Sequence, residues 1–125
     1  MIQDDLLRIM AVVRRKQVYD QKKASMKGSQ KYFSGLQKEI LEVAEELEKD
    51  RLCYLEDELG DILWDFLNMT CALESEKNVE IERVFRRCFQ KYQERMDALD
   101  RGEEWAEIKQ VQKKRLETEH LELSP

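Results

Sequence analysis

Apolar residues recur with a helical period along almost the whole chain, and the breaks between periodic segments are few. The first segment predicts a helix over about residues 6–18, which ends before a basic and weakly apolar loop at residues 22–31. Ser34 followed by Gln37 has the spacing of a capping box and predicts the start of a second helix. The apolar stripe of this second helix fades near Asp50.

The second half of the chain predicts three further helices. The third runs from about residue 54 to residue 73, and Asn78 is a suitable N-cap for the fourth. Gly102 then breaks the pattern, a fifth helix begins near Glu103, and residues 117–125 form a polar tail. These elements predict an all-α fold, a bundle of four to five antiparallel helices.

Composition fits a helical chain and limits its size. The 125 residues include four glycines and one proline, and they predict a single helical domain over residues 1–125. A domain of this size buries a modest core, and the third helix carries more apolar side chains than one chain can cover. We therefore expect self-association, as a homodimer or homotetramer. The side chains concerned are Trp64, Phe66, Met69 and Cys71.

Several classes of protein do not fit the sequence. No apolar stretch is long enough to span a bilayer and the N-terminus lacks the pattern of a signal peptide, so we expect a cytoplasmic protein with no membrane partner. The three cysteines, Cys53, Cys71 and Cys88, form neither a CxxC pair nor an even set, which fits a reducing compartment, and we expect them to be buried or half-buried. The single histidine, His120, cannot supply a histidine-based zinc site or catalytic triad.

Acidic residues are concentrated in one part of the chain. Residues 39–76 contain thirteen acidic side chains and two basic ones, which argues against a nucleic-acid partner although the N-terminal third is basic. Two doublets in this window, Glu39-x-x-Glu42 and Glu58-x-x-Asp61, each place two carboxylates on one helix face. A solvated acidic face is the simpler interpretation. Two doublets on consecutive helices instead favour a metal site, and oxygen-only ligands indicate Mg²⁺ or Mn²⁺.

Two motifs in this window resemble the ExxE and ExxD signature of the MazG family, the all-α nucleoside triphosphate pyrophosphohydrolases. They are KEILEV at residues 38–43 and ELGDIL at residues 58–63. The likeness runs in order from Leu6 to about Lys109. This chain departs from the family pattern at Lys38, where a glutamate is common, and after Arg95, where the usual His-Pro continuation is missing.

The resemblance implies a role for basic residues nearer the C-terminus. Lys91 and Arg95 are similar to the family's basic pair, and Trp105 with Lys109 resembles its terminal Trp-x-x-x-Lys element. Lys91, Arg95 and Lys109 are then expected to bind phosphate oxygens. Trp105 is expected either to contact the nucleoside base or to cap the helical core.

The function implied by the resemblance is the Mg²⁺-dependent hydrolysis of nucleoside triphosphates to monophosphate and pyrophosphate, a house-cleaning activity on nucleotide pools. The metal-binding and catalytic residues are then Glu39, Glu42, Glu58 and Asp61. One of these, or Glu46, takes the proton of the attacking water. The alternatives are a narrower dCTP or dUTP pyrophosphatase, a phosphoribosyl-ATP pyrophosphohydrolase, and a non-catalytic helical interaction module whose acidic face binds a basic partner.

Overall fold

The computed structural model describes residues 1–23 and 28–123, and five α-helices account for most of these ranges. They are α1 (Ile2–Gln21), α2 (Gly28–Glu46), α3 (Leu52–Lys77), α4 (Ile81–Asp100) and α5 (Trp105–Leu123). No strand occurs in the described ranges, which confirms the all-α prediction. None of these helices has the length and apolar content needed to cross a bilayer.

The start of α2 differs from the prediction. The helix begins at Gly28, so Ser34 and Gln37 lie inside it and the predicted capping box is wrong. The helical pattern extends further back because Tyr32 is buried and its hydroxyl donates a hydrogen bond to Asp20 of α1. Residues 28–31 of the predicted loop are thus helical, and its residues 24–27 lie outside the described ranges.

Asn78 ends a helix and does not begin one. It is the C-terminal cap of α3, with a left-handed backbone (φ 60°) that asparagine tolerates better than most residues. The backbone N–H of Ile81, at the start of α4, donates instead to Glu74 Oε2 at 3.0 Å. The predicted role of Asn78 as an N-cap is therefore wrong.

The C-terminal helix is longer than the sequence pattern predicted. Gly102 does interrupt the chain, with φ +83°, and the next backbone N–H, that of Glu103, donates to Ala98 O at 2.9 Å, which closes the end of α4. The next helix starts at Trp105 and continues to Leu123. The segment from residue 117, predicted as a polar tail, is thus helical as far as residue 123.

The chain divides into two compact units, with the boundary after Ile81. The first unit contains α1, α2 and α3, and its core is formed by Val13, Leu67, Cys71 and Ile81. Ile9 and Met10 of α1 and Trp64 and Phe66 of α3 pack against this core. Of the side chains expected to favour self-association, Cys71 is buried in this core, while Trp64, Phe66 and Met69 are only half-buried.

Polar contacts fix α1 against the other two helices of the first unit. Gln17 of α1 donates to Asn68 Oδ1 at 3.0 Å, and Asn68 is fully buried. Arg14 forms an ion pair with Glu74. Asp20, besides accepting the Tyr32 hydrogen bond, is paired with Lys16. These contacts hold α1 on α3 and leave the facing surfaces of α2 and α3 to form the acidic cleft described below.

The second unit contains α4 from Glu82 onward and α5. Long polar side chains join these two helices: Arg87 pairs with Glu119, and Arg115 donates to Glu94 at 3.0 Å. Ala98 is fully buried in this unit, whereas α5 contributes no buried residue. Charge-assisted contacts therefore help to hold the two helices together.

The cysteines follow the prediction in part. Cys71 is buried in the core of the first unit, and burial raises the pKa of its thiol. Cys53 and Cys88 are exposed, so the expectation that they are buried or half-buried is wrong.

Candidate active site

The antiparallel pairing of α2 and α3 brings the two acidic doublets together. The connection between these helices spans only residues 47–51, so they fold back on each other as neighbours. One carboxylate oxygen each of Glu39, Glu58 and Asp61 lies within 4.8 Å of the other two. The structure thus gathers three of the four predicted metal ligands, from two helices, in one half-buried cluster.

Glu42, the fourth predicted ligand, lies at the edge of this cluster. Hydrogen bonding with Glu39 and then with Glu58 lowers the pKa of its carboxyl group. It also has a basic neighbour, since Lys38 Nζ lies 3.9 Å from Glu42 Oε1. Lys38, which replaces the usual glutamate, therefore offsets part of the charge at the outer edge of the cluster.

The proximity of the carboxylates changes their pKa values. The hydrogen bond with Glu42, followed by burial, raises the pKa of Glu39 to about 7. The same hydrogen-bond partner and then burial raise the pKa of Glu58, while the hydrogen bonds from Glu39 and Glu58 lower that of Glu42. For Asp61 burial is the main cause of a raised pKa, and the charge of Asp57 adds to it. Glu39 therefore holds a proton part of the time near neutral pH, and a bound cation would displace it.

Two oxygen atoms in the cluster have no partner in the part of the chain that the structure describes. Glu39 Oε2 and Glu58 Oε2 are buried and make no hydrogen bond within the described part of the chain. A buried acceptor without a partner is costly, by about 1–3 kcal/mol. A divalent cation supplies the missing interaction for both atoms at once, so these residues fit a Mg²⁺ or Mn²⁺ ion by their geometry and by their oxygen-only chemistry.

Other residues of α2 and α3 near the carboxylate cluster differ in whether their side chains have partners. Glu46, also considered as a proton acceptor, is 9% exposed and bound by Arg51, so its carboxylate is already engaged. Asp65 follows Asp61 by one turn, and burial raises its pKa, with the charge of Asp61 as the smaller cause. A Cβ at Gly60 would meet nothing within 4 Å, so no described part of the chain packs closely on this glycine.

The predicted substrate-binding residues all belong to the second unit. Arg95 is buried, with its guanidinium carbon 5.1 Å from the ring centroids of both Tyr92 and Trp105. Lys91, Arg95 and Lys109 line a cavity of about 680 Å³ between α4 and α5. Trp105 does not line this cavity but lies against Arg95, which favours a role in positioning that side chain.

One residue of this region was missed by the sequence reasoning. Gln112 Oε1 accepts a hydrogen bond from Arg95 Nε at 2.7 Å, and Gln112 Nε2 donates to Lys91 O and Glu94 Oε1, both at 2.9 Å. Gln112 thus fixes the orientation of the buried guanidinium. Nothing in the sequence marks it, because a glutamine inside a charged helix has no distinctive spacing or motif.

Comparison with known protein families finds one match. A family model described as MazG nucleotide pyrophosphohydrolase domain matches residues 27–99, which is more than half of the chain. The chain therefore belongs to the MazG nucleotide pyrophosphohydrolase domain family, as the resemblance predicted. The matched range includes both acidic doublets with Lys91 and Arg95, and it ends before Trp105 and Lys109. No curated protein and no solved structure matches the chain.

Proposed function

We propose that the chain is a Mg²⁺-dependent pyrophosphohydrolase that converts nucleoside or deoxynucleoside triphosphates to the monophosphate and pyrophosphate, and so removes unwanted nucleotides from the pool. Family membership supports nucleotide pyrophosphohydrolase activity. The observation that carries the proposal is the carboxylate cluster, in which two buried oxygens have no partner among the described residues.

Glu39, Glu58 and Asp61, with Glu42 at the edge, would hold the metal. When bound, Mg²⁺ would lower the pKa of a water molecule and stabilise negative charge on the triphosphate. Mn²⁺ has similar ligand preferences and is the expected substitute.

The chain itself positions charge and handles protons. Two helices carry the carboxylates, so their separation is set by packed backbone and not by a mobile loop. The lowered pKa of Glu42 keeps this carboxylate ionised through the neutral range. Glu39, whose pKa is about 7, can hold or release a proton in the same range. Near neutral pH, Glu42 is therefore ionised while Glu39 is partly protonated.

We further propose that Lys91, Arg95 and Lys109 bind phosphate oxygens. All three side chains line one cavity. Gln112 holds the guanidinium group of Arg95, whose rigid planar shape suits bidentate contact with phosphate. Trp105 supports Arg95 by stacking.

Self-association is also part of the proposal. The surfaces of α2 and α3 expose large apolar side chains, which a second copy of the chain would cover. They include Ile40, Leu41, Leu59 and Leu63.

A panel of nucleoside triphosphates tests the function. Each substrate is incubated with the wild-type protein with and without Mg²⁺, and pyrophosphate and monophosphate are quantified. Release of both products in equal amounts, dependent on metal and lost in Glu58→Gln, supports the proposal. A preference confined to dCTP, dUTP or phosphoribosyl-ATP identifies the narrower enzyme. Absence of hydrolysis across the panel overturns the proposal and leaves the non-catalytic interaction module.

A further inference from the structure

Asp65 is a buried carboxylate with no partner in the described chain. It is 9% exposed, and no hydrogen bond or ion pair of its side chain occurs among the described residues. Burial of an unpaired carboxylate is unfavourable, and buried charged groups in proteins are normally paired. Since no described residue pairs with Asp65, a polar group of a bound molecule would be a suitable partner for it.

The position of Asp65 links it to the metal cluster. On α3 it lies one helical turn, about 6 Å, beyond Asp61. On α2 the facing residue is Gly35, which lies one turn before Glu39. A Cβ at Gly35 would come within 2.8 Å of Asp65 Oδ2, so the carboxylate fits there because Gly35 has no side chain. Asp65 and Gly35 thus form the next layer of the cleft that holds the carboxylate cluster.

Two other polar side chains near the cluster, those of Asn68 and Glu46, already have partners. Asn68, next along α3, accepts from Gln17 and donates to Trp64 O at 2.9 Å. At the opposite end of the cluster, Glu46 is bound by Arg51. A ligand whose phosphates lie at the cluster therefore meets an unused acceptor only on the Asp65 side among these neighbours.

We propose that Asp65 accepts a hydrogen bond from the nucleoside part of the substrate and so selects nucleotides over other polyphosphates. This inference rests on the proposed function, because it requires the phosphates to be bound at the cluster. An ionised carboxylate is an acceptor only, so its partner is a donor: a sugar hydroxyl, or an N–H group of the base. Both belong to the nucleoside, and inorganic tripolyphosphate has neither.

The test compares two ligands by calorimetry with Mg²⁺ present: a nucleoside 5′-(α,β-imido)triphosphate, which is not hydrolysed, and inorganic tripolyphosphate. We expect Asp65→Ala to weaken nucleotide binding by about tenfold or more, since the lost hydrogen bond involves a charged group. Binding of tripolyphosphate should stay within about twofold of wild type. In the hydrolysis assay the same variant should raise KM with little change in kcat.

Two glycine variants make the test independent of Asp65→Ala. Gly35→Ala places a methyl group against the Asp65 carboxylate and should reproduce the selective loss of nucleotide binding. Gly28→Ala is the matched control on the same helix, because its Cβ would meet Ala72 at an ordinary 3.5 Å, and it should bind both ligands like wild type. Thermal unfolding of each variant checks that it is folded.

The outcomes distinguish failure of the inference about Asp65 from failure of the proposed function. Equal nucleotide affinity in wild type and folded Asp65→Ala overturns the inference, and so does a parallel loss of both ligands, which would indicate a general effect on the cluster. A 2′,3′-dideoxy nucleotide identifies the donor: if its binding is insensitive to Asp65→Ala the sugar supplies the hydrogen bond, and if it remains sensitive the base does. If the wild-type protein binds neither ligand, the proposed function itself fails.

Discussion

Replacing Glu39 by glutamine should stabilise the metal-free protein above neutral pH. Glutamine keeps the shape of the side chain, and its amide can still donate to Glu42, as the protonated Glu39 does. It removes a group that ionises with difficulty in the native state. The substitution therefore tests whether the crowded carboxylates make the metal-free cluster unfavourable.

The direction and the size of this change in folding stability follow from the pKa of Glu39, which is about 7 in the folded protein against an ordinary value of 4.5. Because the folded-state pKa is raised, native stability is intact below about pH 4.5 and falls as the pH rises through 7. The full shift corresponds to about 3 kcal/mol, and discounting it by about half for an open, solvent-screened cleft leaves about 1–2 kcal/mol. For a chain of this length that is a rise in Tm of roughly 5 °C in the glutamine variant at about pH 8.

The assay is thermal unfolding at about pH 5 and about pH 8, with and without millimolar Mg²⁺. The rise in Tm of Glu39→Gln over wild type should be larger at the higher pH. Mg²⁺ should raise the Tm of the wild type but not that of the variant. Glu45→Gln changes an exposed residue on the same helix and is the matched control. Its Tm should depend on pH and on Mg²⁺ as that of the wild type does. A variant that is less stable than wild type at both pH values, or that responds to Mg²⁺ as the wild type does, would refute the reasoning.

Three other expectations concern binding, stability and assembly. Lys91→Ala and Arg95→Ala should each lower kcat/KM by about ten- to a hundredfold, measured at two ionic strengths, whereas a change below about threefold for both would place the triphosphate elsewhere. Glu74→Gln should cost about 1–2 kcal/mol in denaturant unfolding at neutral pH, because Glu74 binds both Arg14 and the Ile81 N–H. Its pKa is lowered, chiefly by the Arg14 hydrogen bond, so this difference should shrink below the ordinary glutamate pKa and vanish below the lowered folded-state pKa; a constant difference would point to packing instead. Light scattering at micromolar protein should show a dimer or tetramer, and a monomer would remove the proposed self-association.

The acidic doublets could be predicted from the sequence because their spacing alone fixes their common helix face. Glu39 and Glu42, like Glu58 and Asp61, are three residues apart, and a short connection makes the two helices antiparallel neighbours. Local spacing and short loops are the features that sequence specifies most directly. The all-α class followed from the same periodicity.

Helix ends were predicted less well because tertiary contacts decide them. Ser34 has a good capping sequence, but burial of Tyr32 carries α2 back to Gly28. Asn78 is equally suitable at either end of a helix, and its left-handed backbone places it at the end of α3. Propensity at a single residue does not separate such alternatives.

Long-range pairing was the least predictable part of the site. The partnership of Arg95 with Gln112 joins residues 17 positions apart on different helices, and no periodicity marks it. The close fit of Asp65 against Gly35 depends likewise on which turn of α2 faces which turn of α3. Register between helices, which sequence patterns leave open, decides both contacts.

Hydrolysis in ¹⁸O-labelled water tests the central claim most directly. The products formed from the best nucleoside triphosphate are analysed by mass spectrometry, with Mg²⁺ and with chelator, for wild type and Glu58→Gln. If water attacks the α-phosphorus at the carboxylate cluster, the label appears in the monophosphate, the pyrophosphate is unlabelled, and both products are lost with chelator and in the variant. Formation of diphosphate and inorganic phosphate, label in the pyrophosphate, or full activity in Glu58→Gln would contradict it.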